Sequence, residues 1–79
     1  MRRFTDADGN DWDAQVGRES YGLHVVLFMA PGSGEVRQTM LAADTWLAAE
    51  DELEGLTEDE LRERLAAATP WGDPGGPGF

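Results

Sequence analysis

Four aspartates, Asp6, Asp8, Asp11 and Asp13, stand within eight positions near the start of the chain. Carboxylates at that density could hold a hard cation. Asp6-Ala7-Asp8-Gly9-Asn10 places oxygen donors at the first, third and fifth positions of a calcium-binding loop. The remainder departs from that pattern. Asp11 stands where the sharp turn needs glycine, and Gly17 stands where a bidentate glutamate is needed. The same run of Asp, Gly and Asn is a dense turn signal, so a β-hairpin is expected and no metal is assigned.

His24 is the one histidine and the one side chain whose ordinary titration falls near neutral pH. Ser20 and Ser33 offer hydroxyls, but neither lies in the glycine pattern of a nucleophile elbow. A histidine beside Val26 and Phe28 on an apolar strand reads as a half-buried structural or interface residue. Pro31-Gly32-Ser33-Gly34 lacks the lysine and the strand-to-helix setting of a phosphate loop. With no cysteine and a single histidine, thiolate and histidine-based zinc sites are not expected. No catalytic group and no cofactor is assigned, and the chain is expected not to be an enzyme.

The elements that would carry these residues change character along the chain. Phe4, then Trp12, Ala14 and Val16 in alternation with Asp13 and Gln15, read as two half-buried strands joined at Gly9. Gly17 to Gly22 reads as a turn or a bulged strand end. Leu23 to Ala30 is the strongest strand, with Leu23, Val25, Leu27 and Met29 on one face and His24, Val26 and Phe28 on the other. Glu35 to Leu41 reads as a fourth strand. Asp44 or Thr45 caps a helix ending at Gly55, with Trp46, Ala49, Leu53 and Leu56 on its apolar face. Thr57-Glu58-Asp59-Glu60 is a capping box opening a second helix, striped by Leu61, Leu65 and Ala68. The fold class expected is α+β: a four-stranded antiparallel meander, open or curled in an SH3-like way, followed by two helices. Residues 1–69 form one domain, and residues 70–79 form a flexible Pro/Gly-rich tail.

The 79 residues carry sixteen acids and six arginines, a net charge of −10. Ten of the acids and only two of the arginines lie beyond residue 43, so the helices hold the negative field. That field disfavours direct binding to nucleic acid or to anionic membrane. No leader-like apolar run follows Met1-Arg2-Arg3, and a cytoplasmic protein is expected. A core this small often gains support from self-association, which makes a homodimer a reasonable expectation.

The reading that results is a small acidic protein-interaction or regulatory module recognising a basic or apolar protein surface. Its anchor candidates are Val26 and Phe28 on the strand face taken to be uncovered, Trp46, and Trp71 and Phe79 in the tail. The alternative is an acidic mimic of nucleic acid that blocks a DNA-binding or transcription protein. It would use Glu50, Asp51, Glu52, Glu54, Glu58, Asp59, Glu60 and Glu63 in place of phosphates.

Overall fold

A computed structural model of the chain describes residues 1–18, 23–32 and 34–71. Strands β1 (Arg2–Thr5), β2 (Asp11–Arg18), β3 (His24–Ala30) and β4 (Glu35–Met40) are followed by helices α1 (Trp46–Glu54) and α2 (Glu58–Ala67) and a short strand β5 (Thr69–Pro70). The strands form one antiparallel sheet in the order β1-β2-β3-β4-β5. The protein is therefore α+β, with strands preceding helices as expected, and with a fifth strand that was not. β5 pairs Thr69 with Gln38 and Pro70 with Arg37, and Trp71 N–H donates to the Val36 carbonyl at 3.0 Å. Two residues, one of them a proline, carry no alternation that could mark them as a strand. The tail expected from residue 70 thus begins within the sheet, and residues 72–79 lie outside the described residues.

The first hairpin closes through Asp6. Its amide donates to the Asn10 carbonyl at 2.8 Å, and Gly9, at φ 89°, takes the left-handed conformation that glycine adopts without strain. The register sets Phe4 opposite Trp12, on the same face. Gly17, expected in a turn, lies inside β2 opposite Val25 and is buried. A Cβ there would fall 2.6 Å from Leu27 Cδ1 and 2.8 Å from its Cγ, so glycine is what lets Leu27 lie across the strand.

The helices cover the face carrying Phe4, Trp12, Ala14, Val16, Val26 and Phe28. These residues pack with Leu41, Ala49, Leu53, Leu61 and Leu65 in one core. Phe4 and Phe28 meet edge to face, ring centroids 5.9 Å apart. Val26 and Phe28 are thus the covered face of β3, and the face bearing Leu27 and Met29 is the one without helices. α1 starts at the N-cap Thr45, whose hydroxyl accepts from Ala48 N–H at 3.2 Å, and ends at Gly55 in a right-handed conformation. α2 has both halves of its capping box, Glu60 N–H to the Thr57 hydroxyl at 3.1 Å and Thr57 N–H to the Glu60 carboxylate at 2.8 Å. No helix among the described residues is long and apolar enough to cross a membrane.

Replacing Gly17 by alanine should lower the stability to urea by about 1–3 kcal/mol, because the new methyl displaces Leu27. Adding Leu27→Ala should recover part of that loss, giving a favourable coupling in the double-mutant cycle. Additive losses would show that the Gly17–Leu27 approach is not tight.

Candidate functional site

Most polar side chains of this fold either reach solvent or find a partner, and His24 does neither. It opens β3, is 3% exposed, and is the one polar residue in the fully buried class among the described residues. Neither Nδ1 nor Nε2 makes a hydrogen bond. Its cover is Trp46, the first residue of α1, whose ring stands edge to face with the imidazole at 6.0 Å. The stack follows from chain geometry. β4 ends beside the start of β3, where Leu41 N–H donates to the His24 carbonyl at 2.9 Å, and a five-residue link leads into α1 over the covered face.

Arg18 is paired with His24 across the β2–β3 ladder, which puts both side chains on one face of the sheet. Arg18 is exposed, and it is the one arginine that makes no hydrogen bond or ion pair among the described residues. The other five are engaged. Arg2 donates to the carbonyls of Leu53, Glu54 and Leu56, and Arg3 to Asp13. Arg37 pairs with Glu35 and lies 5.6 Å over the Trp12 ring. Arg62 holds Glu58, Asp59 and the Thr5 carbonyl; Arg64 holds Glu52 and the Met40 carbonyl.

The same corner carries exposed apolar surface. Leu23 is 47% exposed, Met40 52%, Trp46 43% and Leu47 74%; among the described residues only Met1 is comparable. Leu23 adjoins His24, Met40 is paired with Val25, and Leu47 follows Trp46. Leu47 lies with Trp46 on the helix side of the sheet, whereas Met40, paired with Val25 and one residue before the core residue Leu41, lies on the face without helices, and Leu23 alternates away from His24 in the same sense.

The anchor candidates separate on this geometry. Val26 and Phe28 are fully buried against the helices and offer nothing to a partner while the helices stay in place. Trp46 is half-exposed at the corner. Trp71 is half-buried beside β4, and Phe79 lies outside the described residues. The eight carboxylates also divide. Glu52, Glu58 and Asp59 pair with arginines and Glu60 serves the capping box, whereas Glu50, Asp51, Glu54 and Glu63 make no ion pair or side-chain hydrogen bond among the described residues. Arg18, Leu23, Met40 and Leu47 were not singled out by sequence reasoning. Leu47 carried a signal, being an apolar residue off the stripe of an otherwise acidic helix. The others acquire meaning only from strand register.

The aspartate cluster is occupied by its own hairpin. Asp6 accepts from Asp8 N–H and Asn10 N–H, both at 2.9 Å, and from Trp12 Nε1–H at 2.9 Å. Asp11 accepts from the Thr5 hydroxyl, and Asp13 pairs with Arg3. Hydrogen bonds from the Asn10 backbone and then from Trp12 hold the Asp6 carboxyl below its ordinary pKa; Arg3 does the same for Asp13. Among the described residues no group of three or more acids and histidines is arranged to hold a metal ion. Two open clefts, of about 600 and 340 Å³, flank Trp12 and share Asn10, Trp12 and Glu35. They are lined by both signs of charge and hold no buried unpartnered group.

No protein-family model, curated protein or solved structure matches this chain.

Two outcomes follow from these environments. The folded Asp6 carboxyl binds a proton more weakly than the unfolded one. Its stabilisation is therefore complete above the unfolded value of about 4 and is lost as pH falls through the lower folded value. The thermal unfolding midpoint should fall between about pH 5 and pH 2, and Asp6→Asn should flatten part of that slope; an unchanged slope would show that Asp6 does not anchor the hairpin. His24→Leu removes two buried nitrogens with no partners, so urea unfolding should show stability unchanged or raised by about 1–2 kcal/mol. A loss of more than about 1 kcal/mol would mean the ring has a partner in solution.

Proposed function

We propose that this protein is a small non-enzymatic interaction module that docks a protein partner at the end of the sheet where Trp46 and Leu47 are exposed on the helix side and Leu23 and Met40 on the face without helices. The observation that supports this reading is the gathering of exposed large apolar side chains at one end of the sheet, in a chain of charge −10 whose other helical surface is carboxylate. Exposed apolar side chains grouped at one place, with a polar surround, mark contact surfaces. Tryptophan in particular tends to supply the central anchor. The acidic helices keep the free protein soluble and repel nucleic acid and anionic lipid.

A second reading has its own support. Glu50, Asp51, Glu54 and Glu63 are not neutralised internally, and a basic, nucleic-acid-binding partner could take them in place of phosphates. The two readings differ in salt dependence. Apolar docking is nearly indifferent to salt, whereas carboxylate mimicry is screened within a Debye length of about 8 Å at physiological ionic strength.

Immobilised full-length protein should lose no more than about tenfold in capture between low and high salt, the share of a single ion pair. Met40→Gln with Leu47→Gln should reduce capture at least about tenfold, the equivalent of about 1.4 kcal/mol. Asp51→Asn with Glu63→Gln should leave capture unchanged. Capture that collapses with salt and follows the acidic pair would support the mimic instead. Association with a second copy would register as a doubled mass in sedimentation that the Met40/Leu47 variant abolishes.

A further inference from the structure

Three features of the His24 corner converge on one kind of ligand group. The first is the imidazole, more than nine-tenths buried and without a partner on either nitrogen. A buried polar group in that condition costs about 1–3 kcal/mol until a partner arrives. The second is Arg18, directly across the ladder from His24 and the one arginine without a partner among the described residues. The third is the start of α1. Thr45 caps Ala48 N–H, while the amides of Trp46 and Leu47 make no hydrogen bond among the described residues. Unsatisfied amides at a helix N-terminus favour an anion, and the helix dipole adds to them.

We infer that this corner recognises a carboxylate presented by an apolar segment of the partner. Arg18 pairs with the carboxylate from the exposed side. The imidazole N–H becomes a donor to it once the Trp46 ring turns off His24, and the apolar carbon beside the carboxylate rests on Leu47 and the displaced Trp46 ring. A carboxylate fits better than a neutral apolar group because an uncommitted guanidinium, an unpartnered imidazole and free helix amides all supply donors. It fits better than a bare inorganic anion because the exposed side chains at the start of α1, Trp46 and Leu47, are large and apolar. Asp44, exposed just ahead of the cap, and Glu50, one turn into α1, oppose the charge and keep a small carboxylate weak. Trp46 is both cover and reporter: occupancy of His24 requires its ring to move.

The inference rests on the interaction-module reading for the source of the carboxylate, but its test does not depend on finding the partner. Isotope-labelled full-length protein is titrated with hexanoate up to about 50 mM, a range that detects dissociation constants in the millimolar regime. Hexanamide and inorganic phosphate serve as comparison probes. Hexanoate is expected to give saturable shifts of the His24 ring and Trp46 indole signals. Hexanamide, and hexanoate added to Arg18→Gln, should bind at least about tenfold more weakly. Arg18 is exposed, so its replacement leaves the fold intact. Trp46→Phe, a second variant, should retain the Arg18-dependent shifts at His24. Equal shifts from hexanoate and hexanamide, indifference to Arg18→Gln, equal shifts from phosphate, or no saturable shift would each overturn the carboxylate assignment. If partner capture is still lost in the Met40/Leu47 variant after such a result, the module reading stands and only the carboxylate falls.

Discussion

The whole structure depends on a thin apolar seam between two short helices and one face of the sheet. α1 buries Ala49 and Leu53, and α2 buries Leu61 and Leu65. Burying a leucine contributes about 2 kcal/mol, and helices of nine and ten residues are marginal on their own. The helices therefore exist because the sheet holds them. Three arginines hold their ends as well as their stripes. Arg2 reaches from β1 to the last carbonyls of α1, Arg62 from α2 to Thr5, and Arg64 from α2 to Met40. Arg2 supplies positive charge where the α1 dipole is negative, a place with no basic residue of its own in the last turn.

The same attachment produces the corner at His24. The link from β4 to α1 is short, so α1 must begin where β4 ends. That point lies beside the first residue of β3, and the first helical side chain, Trp46, falls on the imidazole. An aromatic ring excludes water but offers the ring nitrogens no acceptor in the plane of the imidazole. What results is a polar group sealed by a half-exposed lid, with the exposed Leu47 next to that lid and with Arg18, which has no partner among the described residues, across the ladder. The opposite end of the sheet shows the reverse condition. There Asp6, Asp13, Glu35 and Arg37 are engaged with near neighbours, and charge is satisfied locally.

Much of the chain order was legible from local chemistry. The capping box at Thr57, the cap at Thr45, the positive φ at Gly9, and the alternation through Trp12, Ala14 and Val16 all act within a few residues of themselves. Local preference was enough to locate those elements. β5 escaped because two residues cannot carry a period. Gly17 was misplaced because glycine in sequence signals a turn, whereas here it makes room for Leu27 in the middle of a ladder. Of the anchor candidates, Trp46 was legible as a residue but not as the cover of His24. Arg18, Leu23 and Met40 were not legible, because their partners and exposure depend on strand register.

By itself the sequence determined the class of the fold, the starts of both helices and the end of the first, the distribution of charge, and the presence of two apolar faces on β3. These follow from spacing and composition, which tertiary contacts do not alter. Only the tertiary structure decided which face of β3 the helices would take, and hence that Val26 and Phe28 are core. It also decided which of six arginines would have no partner among the described residues. A strand that is apolar on both sides is symmetric in its own pattern. The choice between its faces is made by the link into α1 and by the cross-strand register, and neither is a property of any one segment.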